Sequence, residues 1–164
     1  MDEINPAIPY ISLYDAGGGQ TINGSYLTWD GIKCKTSHFT YEEDDDRVQL
    51  SVNSSGLFEI TFNISLSGNG NNYFEIYKNG SLISESRMYV CPPTVGQTSY
   101  YDSGSLHYVV FLQKDDYIQI KGTCAAGSGE TIANTSRLTV RFLPMRNWDN
   151  GKAGRPQWNG DIVR

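Results

Sequence analysis

Residues able to do acid–base or metal chemistry are few in this chain and are not grouped for it. His38 and His107 are its two histidines, and neither has a second histidine or a carboxylate at metal-ligand spacing. His107 lies in an apolar run, where a structural histidine is the expected role. No Gly-x-Ser-x-Gly turn offers a serine nucleophile. Glycoside hydrolysis needs two carboxylates across a cleft, and nothing in the sequence selects such a pair. The adjacent acids Glu42, Glu43, Asp44, Asp45 and Asp46 supply hard oxygens, but not in the Asp-x-Asp-x-Asp-Gly spacing that wraps one ion. They read as a solvated, self-repelling turn, with Ca²⁺ bound by three copies around an axis as the alternative. Gly17, Gly18 and Gly19 precede no Lys-Ser/Thr pair, so a plain turn is expected rather than a phosphate cradle. The chain reads as a protein that is not an enzyme and carries no cofactor or metal.

The elements that hold these residues are strands. Phe58, Ile60, Phe62, Ile64 and Leu66 alternate with Glu59, Thr61, Asn63 and Ser65, a period of two that gives one buried and one wet face. Strands are expected at 10–14, 25–29, 36–41, 47–52, 57–66, 72–78, 81–89, 105–113, 117–122 and 136–143, separated by turn residues. Asn79-Gly80 between 72–78 and 81–89 marks a tight hairpin, since both positions tolerate positive φ. Lys114, Asp115 and Asp116 mark a second turn. Gly17–Gln20 and 125–130 are expected to be flexible loops. No helical periodicity appears, and ten strands at this spacing are what two packed sheets require.

At 164 residues the chain is long enough for one well-formed core. Its net charge of −5 argues against nucleic acid, and no apolar run reaches membrane-spanning length. Cys34, Cys91 and Cys124 show no CxxC pair, which suits free buried thiols in a reducing cytoplasm; a Cys91–Cys124 bridge is the alternative. Met1-Asp2-Glu3 does not resemble a secretory signal, so a full-length cytoplasmic product is expected, with the Asn-x-Ser/Thr sites read as turns. After Pro144 the alternation stops. Residues 145–164 carry Arg146, Lys152, Arg155 and Arg164 against Asp149 and Asp161, with two of the three tryptophans, Trp148 and Trp158. Two tryptophans among arginines have the composition of an interface anchor, with a tail folded back on its own domain as the alternative. Three regions follow: 1–23, an N-terminal extension and first strand; 24–144, a sandwich body; and 145–164, an extended tail.

Gly56–Phe62, Tyr77-Lys78-Asn79-Gly80, the turn from Leu112 to Ile120 and the closing strand Leu138–Leu143 together give residues 24–143 a pattern that resembles the tumour necrosis factor and complement globular-head family. Asp115 stands where that family usually has Gly. The resemblance implies an all-β, two-sheet jelly roll of about ten strands that forms a homotrimer by burying an aromatic sheet face. Tyr73 and Tyr77, opposite Phe74 and Ile76 on their strand, are the residues expected at the trimer interface, with half-exposed phenols as the alternative. A signal-less trimeric jelly roll with an anchoring tail suggests a virion protein of a tailed bacteriophage. The expected role is a capsid decoration (cement) protein on the capsid surface, made in the host cytoplasm and partnered by the major capsid protein. Arg146, Trp148, Lys152, Arg155 and Trp158 would grip that shell. The alternative is a fibre head that binds host saccharide through Trp29, Tyr100 and Tyr101, and a cellular adhesion module of the same family is a third reading.

Overall fold

The computed structural model describes residues 8–42, 45–51, 54–92 and 100–144. Among them every regular element is a strand: β1 (Tyr10–Tyr14), β2 (Gly31–Lys35), β3 (Phe39–Thr40), β4 (Val48–Leu50), β5 (Gly56–Lys78), β6 (Ser81–Leu82), β7 (Met88–Val90), β8 (Tyr100–Leu112), β9 (Tyr117–Thr131) and β10 (Arg137–Phe142). The fold is all-β and antiparallel, as the alternation requires. β1, at the N-terminal end, is integral to it and lies between β2 and β10.

β5 organises the sandwich because its two halves belong to different layers. Its first half pairs with β10 and β8, so the strands run β2-β1-β10-β5-β8 across one layer. Its second half pairs with β9 and β7, and β9 pairs with β4, so the other layer runs β3-β4-β9-β5-β7. β6 also pairs with the end of β5, and the whole is a jelly-roll-like arrangement of two layers. The strand passes between layers at Gly68-Asn69-Gly70, opposite Gly127-Ser128-Gly129 of β9. Gly70 has φ of 120°, and a Cβ there would stand 1.9 Å from the Ala126 carbonyl oxygen. Only glycine lets the chain bend at this corner with the ladder intact.

The expected flexible loop at 125–130 is therefore corrected: these residues lie inside β9 and pair with β5. Glycine reads as a loop signal in sequence, but facing glycines make a bend in a paired ladder. The strands expected at 57–66 and 72–78 are one strand for the same reason. The strand expected at 25–29 is instead an irregular edge held by isolated bridges at Tyr26 and Trp29, and β2 at Gly31–Lys35 was not anticipated.

Phe58, Ile60, Phe62, Ile64 and Leu66 are all buried. Across the layers Phe74 meets Phe62 at 5.5 Å between ring centroids, and Trp29 stands edge-on to Phe62 at 6.1 Å. Such aromatic pairs add about 0.5–1.5 kcal/mol each beyond the area they bury. Asn79 and Gly80 both have positive φ, 52° and 76°, giving the tight turn expected between β5 and β6. Asp115 has φ of 71°, the conformation that glycine adopts most readily, in the turn between β8 and β9.

Candidate functional site

Two surfaces combine aromatic, charged and apolar groups, one on the outward face of each layer. On the β9–β5–β7 layer, Tyr73, Glu75 and Tyr77 project from β5, opposite Phe74 and Ile76, which are fully buried. The Arg87 guanidinium lies 4.4 Å from the Tyr73 ring centroid, and its Nε donates to Glu75 Oε1 at 2.8 Å. Tyr89 of β7 packs against Tyr73 at 5.9 Å. Hydrogen bonds from Arg87 to Tyr89 and to Glu75 hold the guanidinium pKa above its ordinary value. Tyr26, arriving from the irregular edge, stands edge-on to Tyr77 at 5.5 Å, and the Lys121 ammonium lies 5.6 Å from the Tyr77 ring. Burial, with Glu75 and Tyr73 nearby, pushes the Tyr77 phenol upward. The result is a band of tyrosines interleaved with cations.

Tyr73 and Tyr77, expected to wait for a neighbouring subunit, are thus half-buried by their own chain. Tyr26 packs edge-on against Tyr77, while Tyr89, next to Tyr73, remains 61% exposed. Tyr26, Arg87 and Lys121 were not anticipated in this band. Their contacts depend on strand register and on where the irregular edge crosses β9, neither of which sequence spacing encodes.

The outward face of the β10–β5–β8 layer carries a charged cluster. Register places Arg141 opposite Glu59, and His107 opposite Thr61 beside it. Glu59 accepts from Arg141 Nη2 with one carboxylate oxygen and meets His107 Nε2 with the other. The His107 hydrogen bond, opposed by partial burial and aided by Arg141, holds the Glu59 carboxyl below its usual range. His107 accordingly has a carboxylate neighbour from another strand, which sequence spacing could not reveal. Val109 and Phe111 stand exposed on the same face.

Other expected groups divide clearly. Trp29 is completely buried in the core, so its place in a saccharide site is corrected: it packs on Phe62 rather than facing solvent. Tyr101 is 66% exposed, while the side chain of Tyr100 lies outside the described residues. The three thiols are free, as expected, but Cys34 and Cys91 are exposed rather than buried, and no Cys91–Cys124 bridge forms. Gly17–Gly19 form a turn whose amides are occupied: Gly17 N–H donates to Asp30 and Gly18 N–H to Asp15. Of the acidic run, Asp45 accepts from the Asp46 and Arg47 amides, whereas Glu43 and Asp44 lie outside the described residues. Among the described residues no group of histidine, cysteine and acid side chains is arranged to hold a metal ion, and no helix is long and apolar enough to cross a membrane. Arg146, Trp148, Lys152, Arg155 and Trp158 also lie outside the described residues. In comparisons with known proteins, no family model and no curated protein matches this chain.

Proposed function

We propose that this chain is a virion structural protein, a homotrimeric capsid decoration protein that binds the shell of a tailed phage and acts without catalysis. The observation that carries the reading is the jelly-roll-like sandwich with a tyrosine band on its outer face, a fold and surface suited to holding macromolecules together. Self-association would draw chiefly on the Tyr73–Tyr89 end of that band, because Tyr77 already packs against Tyr26. Residues 145–164 would supply the shell contacts through Arg146, Trp148, Lys152, Arg155 and Trp158. Three tails on one trimer bind at high effective concentration, so individually weak contacts hold firmly.

Removal of residues 145–164 should leave self-association in sedimentation unchanged but abolish occupancy on purified capsids. Full occupancy without the tail, or a single copy at micromolar concentration, sinks the reading. Saccharide binding by a fibre head is a second reading, favoured by the exposure of Tyr89 and Tyr101. A glycan array probed with the intact protein tests it, and absence of binding to host-derived sugars eliminates it.

A further inference from the structure

β8 is a 13-residue strand that pairs with β5 on one side and with no described residue on the other. Which of its backbone groups face that open side follows from its neighbours. The Leu57 carbonyl accepts from Leu143, and the Ser65 carbonyl accepts from Ile132, so odd-numbered β5 residues turn their backbone away from β8. Their partners in the unbroken register are the odd-numbered β8 residues, which therefore point their N–H and C=O groups to the open edge. The Phe111 carbonyl confirms the direction, since it accepts from Lys78 Nζ at 2.9 Å.

Two ends of this edge are occupied. Lys78 takes the Phe111 carbonyl, and the Ser103 N–H donates to Asp102 Oδ1 at 2.9 Å. Between them, Ser105, His107 and Val109 present backbone donors and acceptors for which no described residue provides a hydrogen bond. The segment from Ser103 to Gln113 contains no Pro, Lys, Arg or acid. Natural edge strands usually carry such residues to prevent pairing with another chain. This open window is symmetric about His107, with Asp102, which also accepts from the Cys91 amide, at one end and Lys78, ion-paired with Asp116, at the other.

We infer that two copies of this protein join edge to edge through β8, antiparallel about a two-fold axis at His107. Ser105 of each copy then pairs with Val109 of the other, and His107 meets its own mate. Each such pair exchanges both N–H···O bonds. No register sliding β8 against its mate by two residues matches all three open residues of both copies. The same register sets the Asp102 end of one copy beside the Lys78 end of the other, the self-complementarity that a two-fold contact demands. The five strands β2-β1-β10-β5-β8 become ten across the axis. This contact does not rest on the capsid role, and it uses a different surface from the tyrosine band.

Sedimentation velocity and residue-resolved hydrogen exchange on the full chain test the inference. Ser105→Pro removes an edge-directed N–H without touching the β5 ladder. His107→Lys sets two like charges opposite each other at the axis. Each variant should remove the two-fold contact, leaving a trimer if the tyrosine-band trimer exists and a monomer if it does not. In the wild type, the Ser105, His107 and Val109 amides should exchange at least about tenfold more slowly in the associated form than on dilution. Should Ser105→Pro fail to fold, His107→Lys and the exchange rates decide. Unchanged mass in a folded variant, or equally fast exchange of these amides at all concentrations, overturns the pairing.

Discussion

The Asp116 carboxylate joins three parts of the molecule, and its removal should be felt in proportion. It is nearly buried at the end of the β8–β9 turn. Oδ2 receives Lys78 Nζ at 2.8 Å and the Gln113 N–H at 2.9 Å, while Oδ1 receives the Asn79 side-chain amide at 2.7 Å. One acid thus links the turn before β9 to the hairpin after β5. Bonds to charged groups contribute about 1.5–3 kcal/mol each, less than additively when they share one acceptor group. Lys78 keeps the Phe111 carbonyl as a partner, so its loss is partial. Asp116→Ala should therefore cost about 3 kcal/mol, and Asp116→Asn roughly half of that.

Acidity separates this cause from simple loss of packing. Burial pushes the Asp116 carboxyl up, but Lys78, Asn79 and the Gln113 amide outweigh it and hold the group below its ordinary value. Its contribution is then fully present above the unfolded carboxylate range and disappears as pH falls through that range to the lowered folded value. Urea unfolding of wild type and Asp116→Asn across the acidic range measures both quantities. The difference between them should be greatest near neutrality and close in acid. Glu59 acts in the same direction but is common to both proteins, so it cancels in the comparison. A neutral-pH loss for Asp116→Ala below about 1 kcal/mol, or parallel pH profiles for the two proteins, would refute the account.

At the neighbouring position Asp115, with its φ of 71°, glycine should be tolerated or stabilising by up to about 1 kcal/mol, whereas Asp115→Val should cost about 1–2 kcal/mol in chemical denaturation. Gly70→Ala should be far more damaging, about 3 kcal/mol or more, because the added carbon meets the Ala126 carbonyl at the bend shared by both layers; a thermal midpoint close to wild type would show that the corner relaxes.

Much of the fold was legible because alternation is a local property. The five apolar residues from Phe58 to Leu66 needed only a sheet to lie on, and Asn79-Gly80 needed only its own backbone freedom. β1 and β10 came within a residue of their observed limits for the same reason. The errors share another cause. At 125–130 the glycines looked like slack chain, yet their partner glycines lie more than fifty residues earlier. Trp29 was expected to face a saccharide, although its indole packs in the core edge-on to Phe62. The Glu59–His107–Arg141 cluster draws on three strands, so no spacing along one of them could announce it.

By itself, the sequence determined the strand periodicity, the tight turns and the all-β class, because side-chain alternation and backbone φ preferences act over a few residues. Only the tertiary structure decided which tyrosines gain cations, where His107 finds its carboxylate, and that β8 is left at an edge among the described residues. Those outcomes depend on register and on the crossing of β5 between layers, and both are set by chain segments meeting from far apart.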